Sequence, residues 1–351
     1  MRQGARKISI SEKPVIGITM GDPAGIGPEI VVKALGDPEI RRLAKFIVFG
    51  LDEQLRYVAD RAEIEVFWGR HPHEKLSRDY PYKVVVADYD EYSIPVWNEG
   101  PSKKGGESSL RFCADAFEAA MNGFIDAVVT APISKVSWNM AGGKWPGHTE
   151  MLAEKCKSRR KVMMFVAGPL KLALATIHEA LFEVRHKFTI GCVFEPIDLL
   201  NTALQEYFGV EVPNIGVAAL NPHAGEEGQF GDEEQRIITP AINLAREVGI
   251  KCSGPYPADT LFLKASRGEF DGVVAMYHDQ GMIPVKLLAF NTAVNVTIGI
   301  PIIRTSPAHG TAFDIAGKNI ADAESMKCAI RTAVEMAITK RERRGIKIKK
   351  A

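Results

Sequence analysis

The sequence has few cysteines, no long apolar run and no excess of charge of one sign. Its five cysteines are scattered and form no CxxC pair, which excludes a disulfide framework and is typical of reduced thiols in the cytosol. No apolar run approaches the length of a membrane span, and residues 1–13 are polar and basic, unlike a signal peptide. The net charge of +1 offers no field for nucleic acid or a membrane surface. We therefore expect a cytoplasmic globular protein.

The composition is that of an ordinary globular protein, with 46% hydrophobic and 25% charged residues among 351. This length predicts two domains or one large domain. Short apolar runs that are typical of buried parallel strands alternate with amphipathic segments that are typical of helices. Strand-like runs include residues 15–20, 46–50, 64–68, 84–87 and 272–276. The pattern predicts an α/β fold.

A glycine-rich loop at residues 21–27 connects the first strand to a helix at residues 28–35. Pro28 suits the first helical position, where its missing N–H costs nothing. The loop is not GxGxxG, and it lacks the Lys-Ser/Thr of a P-loop. It can be a tight turn or a place where the backbone approaches a ligand closely, and the sequence leaves both interpretations open.

Three histidines, His178, His223 and His278, each follow the end of an apolar run. In open α/β sheets, ligands bind outside the carboxyl ends of strands. A single histidine in this position is more often structural, but three converging neutral imidazoles can hold a catalytic metal that polarises a substrate oxygen. The long spacings between them leave both possibilities open. The stretch at residues 277–286 adds a carboxylate, an amide and the amine of Lys286.

Other polar residues occur where predicted strands end or helices begin. Thr130 and Lys135 follow a strand, where they suit an anionic ligand or a helix cap. His148 and Thr149 stand at a predicted helix start, as an exposed polar pair or as donors to a phosphate. Arg304 is a candidate clamp for an anion.

Seven motifs occur in the order found in 4-hydroxythreonine-4-phosphate dehydrogenases, and the chain resembles that family from about residue 14 to residue 338. The motifs are Gly-Asp-Pro-Ala-Gly-Ile-Gly-Pro-Glu at 21–29, Thr-Ala-Pro at 130–132, Gly-His-Thr-Glu at 147–150, Asn-Pro-His-Ala-Gly-Glu at 221–226, Ala-Asp-Thr at 258–260, Tyr-His-Asp-Gln-Gly at 277–281 and His-Gly-Thr-Ala at 309–312. The first and last also resemble those of isocitrate and isopropylmalate dehydrogenases.

The resemblance implies a two-domain α/β/α subunit with a deep interdomain cleft, which works as a homodimer. We expect residues 14–140 and 300–351 to form the first domain with the nucleotide loop. Residues 141–299 would form the second domain with the metal site and the dimer interface. The family binds one divalent metal through three histidines, two from one subunit and one from its partner, and the matching positions are His178, His223 and His278. Three imidazoles suit zinc or cobalt better than magnesium.

The resemblance also assigns binding residues. The positions that match the family's substrate-binding residues are His148, Thr149, Lys286, Asn295 and Arg304. By analogy with the wider superfamily, a nucleotide-binding loop would contain His309, Gly310, Thr311 and Asp314. The Asp314 carboxylate would accept from the adenine-ribose hydroxyls and repel a 2′-phosphate, which favours NAD over NADP.

The activity implied is metal-dependent oxidation of 4-phosphooxy-L-threonine by NAD, with decarboxylation to 3-amino-2-oxopropyl phosphate, in pyridoxal 5′-phosphate biosynthesis. Lys286 and Asp259 are the candidate catalytic residues. Lys286 would accept the proton or only bind the substrate carboxylate. Asp259 would be a carboxylate beside the metal or a helix N-cap.

Two departures from the family pattern leave the substrate open. After His178, Ala180 stands in place of a proline and Phe182 in place of a basic residue, and Pro307-Ala308 replaces a common Val-Asp. An alternative is a sister dehydrogenase that acts on 4-phospho-D-threonate, 4-phospho-D-erythronate or a cis-dihydrodiol. A phosphate-binding acyltransferase and a non-catalytic binding protein are further alternatives, although the three histidines and Asp314 argue against the first.

Overall fold

A computed structural model of the chain describes residues 13–78, 80–92, 94 and 100–345. The strands are β1 (Val15–Thr19), β2 (Lys45–Gly50), β3 (Gly69–Pro72), β4 (Val84–Asp88), β5 (Ala127–Thr130), β6 (Val162–Ala167), β7 (Leu170–Leu174), β8 (Ile215–Ala218), β9 (Cys252–Tyr256), β10 (Gly272–Ala275), β11 (Val294–Ile298) and β12 (Ile303–Pro307). They form one sheet in the order β3-β4-β2-β1-β5-β12-β11-β6-β7-β10-β8-β9. The predicted α/β fold is confirmed.

Helices cover both faces of this sheet. They are α1 (Gly27–Gly36), α2 (Pro38–Leu43), α3 (Asp52–Arg61), α4 (Lys103–Met121), α5 (Lys135–Met140), α6 (His148–Lys155), α7 (Val184–Lys187), α8 (Ile190–Phe208), α9 (Thr239–Glu247), α10 (Ala258–Ser266), α11 (His278–Ala289) and α12 (Glu324–Arg343). A π-helical turn, Glu234–Ile238, precedes α9. Within the described ranges, no helix has the length and apolarity needed to cross a membrane.

The strand order divides the sheet into two halves. Strands β1 to β5 and β12 occupy one half, and strands β6 to β11 occupy the other. The antiparallel pairing of β12 with β11 joins them. The predicted domains, residues 14–140 with 300–351 and residues 141–299, contain these two sets of strands. The domain boundary stays a prediction because the sheet runs continuously across the join.

Parallel pairing brings functional segments to common edges of the sheet. β1 is buried along its whole length and pairs in parallel with β2 and β5. In the other half, β10 pairs in parallel with β7 and β8. Strands buried on both faces need a continuous apolar sequence, which is why short apolar runs identified them. Because parallel neighbours have their carboxyl ends at one edge, the segments after β7, β10 and β8 are neighbours.

One predicted strand was wrong. Residues 64–68 are not a strand; β3 begins at Gly69. Ile64 and Phe67 contact residues of α1 and α2, and Trp68 Nε1 donates to Asp52 Oδ1 of α3 at 2.8 Å, whereas Val66 is exposed. The polar stretch that begins at residue 277, whose conformation the sequence left open, is largely helical, since α11 begins at His278.

Candidate active site

A cavity of about 480 Å³ contains most of the residues that the resemblance assigns to the substrate. His148, Thr149, Asn295 and Arg304 line it, and His178 lies in its wall. These residues are far apart in sequence and come from α6, β11, β12 and the segment after β7. Their individual roles stay predictions, but the fold brings them into one cavity.

The antiparallel pairing of β11 and β12 places four polar side chains on one face of the sheet. Asn295 lies opposite Ser306, and Thr297 lies opposite Arg304. Because alternate residues of a strand point to the same face, all four project together. Ser306 lines the cavity and was not among the predicted residues. Because Ser306 is two residues after Arg304, an extended backbone in this segment would have predicted that both side chains face the same side.

Arg304 is a buried cation that is bonded to hydroxyls rather than to a carboxylate. The residue is 3% exposed. Its Nε and Nη2 donate to Thr130 Oγ1 at 3.1 and 2.7 Å, and its Nη1 donates to Thr297 Oγ1 at 3.3 Å. The hydroxyls satisfy hydrogen bonds but do not neutralise the charge, and burial lowers the pKa of Arg304 to about 10. A guanidinium in this state is suited to an anionic group of a ligand.

Two polar atoms of the cavity residues, His148 Nε2 and Asn295 Oδ1, have no hydrogen-bond partner in the described part of the chain. His148 is the first residue of α6, and its ring packs edge-on against Trp138 with centroids 5.5 Å apart. Burial, with the charge of Arg304, holds the pKa of His148 well below 6.5, so the imidazole is neutral at pH 7. Buried polar atoms are normally paired, so both atoms are available to a polar ligand.

Lys286 borders the substrate cavity rather than lining it. It lies in a smaller cavity of about 250 Å³ that shares His309 and Gly310 with the larger one. Its Nζ donates to the Ala308 carbonyl at 3.0 Å and lies 5.1 Å from the centroid of the Phe290 ring. Partial burial lowers the pKa of Lys286. This environment favours the neutral amine more than water does.

His178 and His278 are adjacent, with ring centroids 5.8 Å apart. They follow the parallel neighbours β7 and β10. His278 Nδ1 lies 2.7 Å from Asp279 Oδ1, an arrangement that leaves Nε2 for a metal when Nδ1 carries the proton. Burial, the charge of Lys135 and the charge of His278 lower the pKa of His178. The neutral imidazole that metals require is therefore favoured.

His223 follows β8, the other parallel neighbour of β10, but it does not join this pair within one chain. Over the described residues, no group of three histidine, cysteine or acidic side chains could hold a metal. The backbone from His223 to Glu227 has left-handed φ angles of 38° to 79°, which are unfavourable for residues other than glycine. Glu234 supports this turn by accepting from the backbone N–H groups of Leu220 and Asn221, both at 2.8 Å.

The predicted nucleotide loop, residues 309–314, packs against the first glycine-rich loop. The Ile26 N–H donates to the Thr311 carbonyl at 2.9 Å. A Cβ on Gly25 would lie only 2.9 Å from the same oxygen, so this glycine permits the close approach of the two loops. A cavity of about 350 Å³ lies between the first loop, α3 and the segment that begins at Phe313.

The two carboxylates that were predicted to have functional roles, those of Asp259 and Asp314, lie on the surface. Asp259 is exposed in the first turn of α10, whose N-cap is Pro257, so Asp259 is not the N-cap. Asp314 is exposed in the nucleotide loop. Their catalytic and nucleotide-binding roles stay predictions.

Gln280 and Glu150 complete the surroundings of the site. Gln280 Oε1 accepts from the Met276 N–H and its Nε2 donates to the Ala219 carbonyl, both at 2.7 Å. This amide therefore joins the ends of β10 and β8 and supports the histidine edge. Glu150 lines the substrate cavity and was not predicted, although it belongs to the same motif as His148.

Comparison with known proteins agrees with this geometry. The chain matches the family model described as pyridoxal phosphate biosynthetic protein PdxA over residues 42–333. A 4-hydroxythreonine-4-phosphate dehydrogenase of Geobacter metallireducens is 45% identical over 336 residues, which cover 93% of this chain and 97% of that one. A D-threonate 4-phosphate dehydrogenase of Cupriavidus necator is 41% identical over 330 residues, which cover 92% and 97%.

A solved structure gives the same result in three dimensions. The crystal structure of a 4-hydroxythreonine-4-phosphate dehydrogenase from Burkholderia phymatum aligns with a TM-score of 0.80 and 41% identity, covering 92% of this chain and 98% of that chain. The predicted resemblance and its assignment to the oxidoreductases are confirmed. The chain therefore belongs to the PdxA family of dehydrogenases.

Proposed function

We propose that the protein oxidises 4-phosphooxy-L-threonine with NAD and that the product decarboxylates to 3-amino-2-oxopropyl phosphate in pyridoxal 5′-phosphate biosynthesis. The observation that carries this proposal is a single cavity that joins a buried cation, unpaired polar atoms and His178, whose ring lies beside that of His278. A cytoplasmic location belongs to the same proposal and is supported by five free cysteines.

The phosphate would bind at Arg304, with His148 and Thr149 beside it. Arg304 offers a charge that its own hydroxyl partners leave unneutralised, and charge-assisted hydrogen bonds to phosphate are the strong ones. His148 stays neutral at pH 7 and can donate one hydrogen bond from Nε2. Asn295 would orient the substrate from the opposite strand. These residues bind and orient, and burial excludes water from around the phosphate.

The two adjacent imidazoles fit two ligands of one divalent metal. The pKa of His178 is lowered, and Asp279 can orient the ring of His278, as carboxylates do for metal-binding histidines. His223 of the partner subunit would be the third ligand, since this chain's own turn does not complete the group. When bound, zinc, cobalt or magnesium supplies a Lewis acid for the substrate hydroxyl.

The oxidation needs a hydride acceptor and a base. Bound NAD would supply the hydride acceptor for the hydroxyl-bearing carbon, and Lys286 is the residue that we assign as the base for the hydroxyl proton. Its lowered pKa increases the neutral fraction near pH 8, and its bond to the Ala308 carbonyl fixes Nζ at the cavity border. The new ketone is β to the carboxylate, so carbon dioxide is lost readily. Asp259 would act only across a subunit interface, because it is exposed in this chain.

NAD would bind along the loop that contains His309, Gly310, Thr311 and Asp314. The residues fit a dinucleotide, because a cavity lies beside this loop and because Asp314 presents an exposed carboxylate for the ribose hydroxyls. We assign the loop to the first domain, residues 14–140 with 300–351. The metal and dimer contacts belong to residues 141–299.

A homodimer with a shared active site is part of the proposal. Ile283, Leu287 and Phe290 lie along one side of α11 and its end, and they are 60%, 82% and 73% exposed. Their spacing makes a continuous apolar stripe, which soluble proteins rarely leave uncovered. The same helix begins at His278, so a second copy on this stripe would bring its residues close to the incomplete metal pair.

Complementation between inactive variants tests the shared site. Mixing His223→Ala with His278→Ala subunits would leave one intact site in each heterodimer. Both substitutions affect the same site, and the other site keeps all three histidines. Random exchange of equal amounts should restore about a quarter of the wild-type activity and metal content. Mixing His178→Ala with His278→Ala is the matched control and should restore none. Equal recovery in both mixtures would refute the shared site.

A substrate panel tests the activity. NADH formation would be followed with 4-phosphooxy-L-threonine, 4-phospho-D-threonate and 4-phospho-D-erythronate, with His278→Ala as the blank. We expect 4-phosphooxy-L-threonine to have the highest kcat/KM. The second candidate is 4-phospho-D-threonate, because a relative from Cupriavidus necator that is 41% identical is named as a D-threonate 4-phosphate dehydrogenase. A preference for it would overturn the named substrate and leave the dehydrogenase site intact.

A further inference from the structure

Another cavity, which we call the basic cavity, lies at the amino ends of β5 and β12, and its lining carries a strong positive charge. Its volume is about 750 Å³, which is within the usual range for small-molecule sites. The cationic residues in its lining are Arg78, Lys155, Lys157, Lys340, Arg341 and Arg344. Among the described lining residues, Asp126 carries the one carboxylate.

That carboxylate is already bound by protein groups. Arg341 Nε donates to Asp126 Oδ1 at 2.9 Å, and the Val15 N–H donates to Oδ2 at 2.8 Å. Arg78 Nη2 lies a further 3.8 Å from Oδ2. Asp126 therefore neutralises Arg341 and part of the field of Arg78, and it leaves the other cations without a counter-charge in the lining.

The negative ends of helix dipoles offset part of the positive charge in this cavity. The carboxyl-terminal ends of α4, α6 and α12 line the cavity, and each contributes about half a negative charge. Three such ends and Asp126 provide roughly −2.5, against six cations, so about three positive charges remain uncompensated. The helix dipoles alone therefore do not explain why six cationic residues line this cavity.

Lys340 shows the electrostatic cost of this arrangement. Its Nζ donates to the Pro301 carbonyl at 3.1 Å and lies 5.3 Å from the centroid of the Tyr207 ring. Burial, together with repulsion from the charge of Arg344, lowers its pKa, and the carboxylate of Glu206, which is outside the lining, offsets only part of this effect. Cations that repel one another inside a concave surface are stabilised by an anion between them.

The cavity is separate from the substrate cavity. Asp126 immediately precedes β5, whereas Thr130 at the other end of that strand lines the substrate cavity, about 13 Å away at ~3.3 Å per residue. On β12, Ile303 lines the basic cavity, while Arg304 lines the substrate cavity. Apolar side chains including Ile125 and Ile302 lie among the cations. A ligand with several phosphates and an apolar body fits this lining.

We propose that this basic cavity binds an organic polyphosphate, of the class of nucleoside di- and triphosphates. Its concave shape and its volume suit a small molecule better than a nucleic-acid strand, which requires an extended basic track. The phosphates would lie among Lys157, Lys340 and Arg344, and the apolar floor would contact the base.

Titration calorimetry with inorganic triphosphate and with ATP would test the site in the full-length protein. The double variant Lys157→Glu/Arg344→Glu should weaken both ligands at least about tenfold, since charge-assisted contacts to phosphate dominate. Arg343→Glu is the control for the Arg344 half of this change, because it reverses one charge next to Arg344 but outside the cavity lining. It should change affinity by less than about twofold. The substrate-cavity variant Arg304→Met should bind both ligands normally.

Three results would overturn the proposal. One is the absence of saturable triphosphate binding to the wild type at low salt. Another is equal weakening by Arg343→Glu and the double variant, which would indicate a diffuse surface field. The last is loss of triphosphate binding in Arg304→Met, which would place the anion in the substrate cavity. Tighter ATP than triphosphate binding would support the apolar floor, while a single-stranded oligonucleotide that binds more tightly than ATP would refute a small-molecule site.

Discussion

Replacement of Arg304 by methionine separates a binding role of this buried cation from a structural one. A pKa lowered from 12.5 to about 10 means that the folded protein disfavours the charged form by about 3 kcal/mol. The hydrogen bonds to Thr130 and Thr297 return about 1 kcal/mol each. The variant should therefore unfold with a free energy within about 1 kcal/mol of the wild type, or slightly above it.

Substrate binding, unlike stability, should depend strongly on Arg304. Two charge-assisted hydrogen bonds to phosphate contribute about 1.5–3 kcal/mol each, so kcat/KM should fall by about two to four orders of magnitude. Arg304→Lys keeps the charge without the planar fork and should recover part of the loss.

Two measurements complete this test. Urea denaturation gives the stability, and NADH formation gives kcat/KM. Inorganic phosphate should raise the melting temperature of the wild type more than that of Arg304→Met, in which only the basic cavity would still bind it. A variant that loses more than about 3 kcal/mol of stability while phosphate protects it as strongly as it protects the wild type would refute the reasoning, because Arg304 would then be a structural residue.

Further changes have distinct expected outcomes. Lys286→Arg should remove the rise of kcat/KM with pH that follows deprotonation of the amine, because arginine stays charged; an unchanged pH profile would exclude Lys286 as the base. For His148, the folded pKa lies well below the unfolded value of about 6.5, so the unfolded state binds more protons below that pH and stability falls as pH falls. Urea denaturation of the wild type should show stability falling between pH 7.5 and 5, and His148→Asn should lose up to about 2 kcal/mol less, the limit for one imidazole that stays neutral in the folded state. Glu234→Gln should cost about 1–3 kcal/mol in the same assay and lower metal content, with Glu233→Gln as the milder control.

Local sequence fixed the type of most central strands but not every boundary. The apolar run at residues 272–276 predicted β10 because a strand buried on both faces needs apolar residues throughout. Ile64, Phe67 and Trp68 are apolar as well, yet they pack against helices while Glu65 and Val66 are exposed, because apolar residues by themselves do not select the backbone conformation. Whether an apolar residue faces a strand or a helix depends on its neighbours in space.

The start of α4 shows the same dependence. Four serines, at positions 93, 102, 108 and 109, precede or enter this segment, and only the fold selects the cap: α4 begins at Lys103, and the Ser102 side chain accepts from the Gly105 N–H at 3.0 Å. Gly106 in the first turn looks like a helix breaker. A Cβ there would lie 1.9 Å from the Ser137 carbonyl, so the glycine is present because α5 packs against that turn. No local pattern contains that contact.

The sequence by itself determined the chemistry of the candidate site, since the motifs supplied the histidines, Arg304 and Asn295. Tertiary structure decided which of them meet. The antiparallel register of β11 and β12 sets Asn295 beside Ser306, and the parallel order of β7, β10 and β8 sets His178 beside His278. Residue types decide which bonds and charges are possible, and they act locally. Contacts between residues far apart in sequence depend on strand order and register, which emerge only when the whole chain packs.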